Sequence, residues 1–406
     1  MRILPPAFGH PPHKCGGQGM VHPVNIAMKL KPIFVLPIIF ALVLALCIPV
    51  LMLWEKDFSL ESLIPTRPAE ETKETEPEET EAPTEAATEE ITEAPTEEPT
   101  EAPTERKDGF FTLTFVGDCT FGSTAANWEY ESSFVQVVGE DYRYPFAKVV
   151  DIFENDDFTL ANLEGPLTEV GEPMQKQFAF RGLPAYTAIL TENSVEAVTF
   201  ANNHALDYGF EGRKATMEAL EEAGVAYGAR EQTFLYTTAS GLTIGVYCDD
   251  FAFDRVHIAD SIASLREQGA EIVVCAFHWG QEQMYTPAQN EIDWGHIAID
   301  AGADIVAGHH PHVLQPVEYY KNGVIFYSLG NFSFGGNTNP TDTDSAILQQ
   351  EVFRGPDGTM NLGELKVIPV SITSTKGQNN YQPMPLEEGS DAYNRVMQKL
   401  FGAAEE

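Results

Sequence analysis

The stretch 302–332, GADIVAGHHPHVLQPVEYYKNGVIFYSLGNF, decides how the chain is read. Its apolar run 305–307 has the character of a short buried strand. The run ends at Gly308, and three imidazoles follow within four residues: His309, His310 and His312. Neutral imidazole is the commonest metal ligand, so a strand ending in such a cluster points to a metal-type site. The alternative is a helix-capping loop with incidental histidines. Pro311 fixes its own φ and biases His310 towards extended backbone, which restricts the loop. Beyond it, Lys321-Asn322-Gly323 between the apolar runs 317–320 and 324–328 signals a β-hairpin.

Working outward, strand-like runs at 111–116, 158–161, 197–200, 242–247 and 272–277 precede this stretch. They alternate with amphipathic helical runs at 210–223, 259–268 and 289–301, an order that predicts an α/β fold. Runs at 346–353 and 360–368 flank Gly355-Pro356-Asp357-Gly358, a second hairpin signal. The later strands are therefore antiparallel, in one mixed sheet or two packed sheets. The domain is expected over 108–375, long enough for a sizeable core. A polar tail with a short helix near 392–401 is expected to occupy 376–406.

Polar groups gather where the strands end, which is where open α/β sheets place ligands. The run 111–116 leads into Gly117-Asp118-Cys119, and 158–161 into Asn162-Leu163-Glu164-Gly165. The run 197–200 leads into Asn202-Asn203-His204, with Asp207 three residues on, and 272–277 into His278-Trp279-Gly280. Each motif alone is ordinary: Gly-Asp is a common turn, Asn-His a common cap, and a lone histidine is usually a satisfied core side chain. Together, oxygen and nitrogen donors without thiolate suit Mn, Fe or Zn better than a structural zinc finger. Such a centre, holding one or two divalent ions, polarises phosphoryl oxygen and acidifies water. No Gly-x-Ser-x-Gly, Walker loop or dinucleotide fingerprint competes with it.

Charge excludes other classes. The net charge is −37, and residues 106–406 alone carry forty-three acidic against seventeen basic side chains. Such a surface repels nucleic acid, so no nucleic-acid partner is expected. Residues 69–105 hold fifteen glutamates against Lys73, with Glu-Ala-Pro-Thr-Glu recurring at 81–85, 93–97 and 101–105. This composition cannot repay ordering entropy and stays extended, so 55–107 is read as an acidic, disordered Thr/Glu/Pro/Ala stalk. Before it, 32–54 carries no charge over twenty-three residues, enough to cross a bilayer core. No small-x-small cleavage site follows Trp54, and Leu46 before Cys47 argues against lipidation, so an uncleaved transmembrane anchor is favoured over a signal peptide. Residues 1–31 contain basic but no acidic side chains and form the expected short cytoplasmic tail, leaving the domain outside the cell membrane. Met20 and Met28 are alternative starts. Five cysteines show no CxxC spacing, and no disulfide is expected.

Six ordered motifs carry a family resemblance: Gly-Asp at 117–118, Asn-Leu-Glu at 162–164, Asn-Asn-His at 202–204, His-Trp-Gly at 278–280, Gly-His-His-Pro-His at 308–312 and Ser-Leu-Gly-Asn-Phe at 328–332. Between about 110 and 370 the chain resembles the CapA-type poly-γ-glutamate capsule synthesis proteins, a branch similar to the calcineurin-like metallophosphatases. The resemblance implies a four-layer α/β/β/α sandwich and a membrane-anchored, extracellular protein of capsule polymer assembly or export. Its partners would be the polymer or its precursor and other membrane proteins of a synthesis complex. It also implies roles: Asp118 for a first metal, Glu164 as bridging carboxylate, Asn203 and His278 for a second metal, and His310 and His312 as the His-x-His pair. His204 would be the general acid. His309 would stand behind these ligands, and Asn331 would line the site, the alternative being a turn at Gly330-Asn331. Apart from the resemblance, Asp207 stands close enough to His204 in sequence to support the site, and Arg181 is a candidate to meet an anionic polymer, the alternative being a surface ion pair. One departure stands out: the wider superfamily has Asp-x-His where this chain has Asp118-Cys119-Thr120. Two functions follow, a metal-dependent phosphoesterase-like hydrolase or a non-catalytic assembly factor that keeps the fold.

Overall fold

The computed structural model describes residues 2–3, 109–251 and 253–402. The stretches read above as anchor and stalk lie outside these residues. Among the described residues no helix is long and apolar enough to cross a membrane.

Strand β1 (Phe110–Thr120) is buried from Leu113 onward. Parallel to it run β2 (Phe158–Leu163), β3 (Ala197–Thr199) and β4 (Ala226–Gly228). Helix α1 (Gly209–Ala223) connects the last two and stops at Gly224, whose φ of 74° needs no Cβ. The chain then builds a second sheet from β5 (Gln232–Thr237), β6 (Thr243–Asp250), β7 (Ile272–His278), β8 (Ile305–His309), β9 (Val317–Tyr320) and β10 (Gly323–Phe326). Helix α2 (Arg255–Glu267) begins at Asp254, whose carboxylate accepts from the Val256 and His257 amides, and α3 (Gln289–Ala301) leads into β8. The spatial order is β9-β10-β8-β7-β6-β5, parallel at its centre and antiparallel at both edges.

The chain returns to the first sheet with β11 (Asn331–Phe334), β12 (Asp344–Arg354) and β13 (Met360–Ser371), and ends in helix α4 (Asp391–Phe401). That sheet runs β13-β12-β1-β2-β3-β4. Strand β12 pairs with β1 only as far as Phe115; beyond that β11 takes its place on β1, setting Asn331 beside Asp118. The two-residue strand Arg2–Ile3, expected in a separate tail, pairs antiparallel with β13.

Buried side chains form three clusters, and these order the layers. Leu113, Phe115 and Leu160 of the first sheet meet Val246, Val274, Ala307 and Phe326 of the second. On the outer face of the first sheet, Leu163 and Val198 pack against Phe134, Phe153, Ile189 and Leu220 of its helices. On the outer face of the second, Val273, Cys275 and Val306 meet Ile258, Ile262 and Ala298. Helices, sheet, sheet and helices therefore follow in that order, as the two-packed-sheets expectation requires. Strands covered on both faces must be apolar throughout, which is why β7 reads IVVCAFH. Each large apolar side chain buried there contributes about 1.5–3 kcal/mol.

Beyond the two-residue strands, three escaped the sequence pattern. β4 and β11 are too short to show a period, and β5 is an edge strand whose residues are mostly exposed. The polar tail expected after residue 375 is part of the domain. Val396 and Leu400 of α4 join the inter-sheet core, and fully buried Tyr381 donates its hydroxyl to the Ser132 carbonyl at 2.5 Å. Its polar surroundings had hidden these three apolar anchors. Cys119, Cys248 and Cys275 are buried free thiols.

Candidate metal centre

The ends of β1, β2, β7 and β8 converge because both sheets are parallel at their centres. Register sets Asp118 beside Asn162 and His278 beside His309. Two glycines permit the approach. A Cβ on Gly117 would lie 2.1 Å from the Gly330 carbonyl oxygen, and one on Gly308 would lie 2.1 Å from that of Tyr327. With no side chain at 117, the Asp118 amide donates to Gly330 O at 2.8 Å.

Asp118 is fully buried and fully partnered. Its Oδ1 accepts from Asn162 Nδ2 at 2.9 Å and lies 3.1 Å from His309 Nδ1, while Oδ2 lies 3.1 Å from His312 Nδ1. Burial works against its charge, yet the hydrogen bonds and charge of His309 and His312 hold the carboxyl well below its ordinary range. Glu164 differs. It is fully buried, and neither carboxylate oxygen has a hydrogen-bond partner. Around its Oε1 stand Nε2 of His312 at 3.7 Å, of His278 at 3.8 Å and of His204 at 3.9 Å. Burial, opposed by His312, pushes this carboxyl up to about 8. An unpaired buried carboxylate is costly unless a cation satisfies it.

The remaining donors face the same point. His278 Nε2 lies 2.9 Å from Asn203 Oδ1. Burial holds the His278 imidazole well below its usual value and brings His310 down to about 4, leaving both as neutral donors. His312 is opposed by burial too, but Glu164 and Asp118 push it up to about 10. The backbone corrects one expectation: His310, with φ of 97°, is left-handed rather than extended, and His312 at 56° is left-handed too. Such geometry costs about 1–3 kcal/mol per residue and persists where the surroundings over-determine it. Here a backbone amide contact to Asp118 and ring contacts to Phe251 and His278 hold His310, and Asn331 Oδ1 holds His312 Nδ1 at 2.9 Å.

The donor set fits a metal. Among the described residues three groups bring their ligand atoms within 4.8 Å of one another: Glu164, His278 and His310; Asp118, Glu164 and His312; and Glu282, His310 and His312. Bonds of about 2.0–2.2 Å place donors around one ion roughly 3–4 Å apart, which matches the spacings about Glu164. Buried Nε2 of His309 and Nδ1 of His310 are also without partners.

His204 reaches the centre from the loop after β3. Its Nδ1 donates to Asp207 Oδ2 at 2.7 Å, which fixes the tautomer and turns Nε2 towards Glu164. Lys176 pairs with the other Asp207 oxygen and donates to the Asn203 carbonyl at 3.1 Å. Asn202 links this loop back to β2, its Nδ2 donating to Asn162 Oδ1 at 3.0 Å. His204 and His312 open onto a pocket of about 150 Å³ walled by Phe178, Phe180 and Phe334.

The structure thus brings together Asp118, Glu164, Asn203, His204, Asp207, His278, His309, His310, His312 and Asn331. Arg181 is not among them. Its guanidinium stacks between Trp128 and Tyr208, 4.6 and 5.3 Å from their centroids. Sequence reading missed Asn162, Asn202, Lys176 and Glu282. The first two lay inside the motifs already quoted; Lys176 and Glu282 carry no signal of their own and arrive by loop geometry.

Fold and site together define an α/β protein with a buried histidine–carboxylate centre at its strand ends. Residues 112–248 and 230–336 match the family described as bacterial capsule synthesis protein PGA_cap. The chain is 30% identical over 317 residues to the PGA biosynthesis protein CapA of Bacillus subtilis (strain 168), covering 72% of this chain and 78% of the relative. It is 31% identical to the capsule biosynthesis protein CapA of Bacillus anthracis, covering 73% and 74%. The NAD nucleotidase NadN of Haemophilus influenzae superposes on 71% of this chain and 62% of its own with 12% identity and a TM-score of 0.37, too distant to carry an argument. The chain belongs to the bacterial capsule synthesis protein PGA_cap family.

Proposed function

We propose that the domain is a metal-dependent, phosphoesterase-like hydrolase acting in capsule polymer synthesis or export, on the polymer or its precursor. The observation that carries this reading is Glu164, a buried carboxylate with no hydrogen-bond partner, ringed by His204, His278 and His312. Glu164, Asn203, His278 and His310 would hold one ion, and Asp118 and His312 with Glu164 a second. A divalent ion bound there supplies Lewis acidity towards a phosphoryl oxygen and acidifies water. The chain's own residues do the rest. Asp207 orients His204, whose Nε2 faces the centre and, with both ring nitrogens protonated, delivers its proton to the leaving oxygen and is left as the Nδ1–H imidazole. The phenylalanine wall narrows the approach. The test is phosphodiester hydrolysis by the full-length protein loaded with Mn²⁺ or Zn²⁺, with metal content measured alongside. His204→Ala is expected to lower kcat by about 10²–10⁴ with metal content unchanged. No hydrolysis by the loaded protein, or unchanged metal content in His310→Ala, would overturn the reading.

One observation favours a non-catalytic assembly factor instead. Thr120 stands where the superfamily places a histidine, and its buried hydroxyl has no partner. Full rescue of capsule formation by a His204→Ala, His278→Ala double variant would decide for that reading.

We place the domain outside the cell, tethered by residues 32–54 and held off by the stalk to 107. The apolar, uncharged length of 32–54 supports this. A spanning segment excludes the pairing of Arg2–Ile3 with β13 in the same molecule, so that strand would separate on insertion. Protease access to the N-terminus in intact cells tests this; cleavage there would overturn the proposed orientation.

A further inference from the structure

We propose that Glu282 is a metal ligand, a carboxylate from the loop after β7 that closes from the solvent side, beside His312, on the ion held through His310. This deepens the reading above and rests on it. The ligand atoms of Glu282, His310 and His312 lie within 4.8 Å of one another. His310 is 7% exposed, and its Nδ1 has no hydrogen-bond partner. Its imidazole has been withdrawn from water without a protein group to replace it, the condition a metal bond relieves. Glu282 itself is exposed and makes no ion pair among the described residues, so its carboxylate is free to bind.

The donor count argues the same way. The ion placed on Glu164, Asn203, His278 and His310 has four protein donors. Octahedral ions such as Mn take six, so a further carboxylate oxygen has room to bind. Glu282 adds an oxygen, a donor that suits Mn, Fe or Zn alike. It also lines the pocket onto which His204 and His312 open. A ligand entering by that route meets this carboxylate, so Glu282 is the exchangeable donor and the buried groups are the permanent ones.

The full-length protein and its Glu282→Gln and Glu282→Ala variants are titrated with Mn²⁺ by calorimetry, with bound ion followed by electron paramagnetic resonance. Both variants are expected to bind at least about tenfold more weakly and to alter the bound-Mn²⁺ spectrum, while metal-free stability stays unchanged because the side chain is exposed. His310→Ala serves as the control that loses binding. Wild-type affinity and spectrum in Glu282→Gln, with binding lost in His310→Ala, would overturn the assignment of Glu282 and leave the metal centre standing. No Mn²⁺ binding by the wild-type protein would overturn both.

Discussion

His204 donates from Nδ1 to Asp207 Oδ2 at 2.7 Å, and the same oxygen accepts from the Phe180 amide at 2.6 Å. The carboxylate that orients the imidazole therefore also fixes the two-residue strand Phe180–Arg181, which carries part of the phenylalanine wall.

Asp207→Asn keeps the shape but weakens the hold on His204 and removes the ion-pair partner of Lys176. The expected result is a fall in kcat of about 10–100-fold with metal content unchanged. Measurement of kcat and bound metal on the same preparation checks it; wild-type kcat would show that His204 needs no orienting carboxylate.

Removal of metal should expose the cost of Glu164. Its folded pKa is raised to about 8, so between about 4.5 and 8 the folded state binds more protons than the unfolded. The metal-free protein must therefore lose stability as pH rises through that window. Urea denaturation after chelation should show this slope, and Glu164→Gln should flatten it. An identical slope in the variant would assign the effect elsewhere.

Gly117→Ala places a methyl 2.1 Å from Gly330 O and 2.7 Å from Leu329 O, both backbone atoms. Overpacking of this kind costs about 1–3 kcal/mol, and here it also pushes Asp118 from His309 and His312. Chemical denaturation and metal titration should both register the change.

Arg395 makes a two-pronged contact to buried Asp344, Nε to Oδ2 at 2.7 Å and Nη2 to Oδ1 at 2.6 Å, and Lys399 adds a third at 2.7 Å. Burial opposes the charge, but these partners hold the Asp344 carboxyl below its ordinary range. A depressed carboxyl contributes stability above the unfolded value of about 4, and loses it as pH falls through the folded value. Arg395→Ala is expected to cost about 1 kcal/mol at neutral pH. The gap to wild type should close in acid; a gap that persists there would mean the helix is held by packing alone.

Much of this protein is legible in its sequence because the signals are local. Apolar runs must be buried, so they mark the strands, and the polar residues just past the ends of those runs single out Asp118, Glu164, His204, His278 and His310. The anchor-length run and the acidic repeat are likewise matters of composition. What lies beyond the sequence depends on contacts between distant segments. Whether Tyr381 and Val396 belong to a tail or a core depends on the sheet they meet. That His309 binds Asp118 while His310 turns left-handed follows from β11 pairing beside β1 and from the close approach at Gly308. Lys176, Glu282 and the displaced Arg181 take their places only where loops from both sheets meet. Burial and period belong to a segment; a ligand set is a property of segments brought within about 4 Å, and only the packed chain sets that distance.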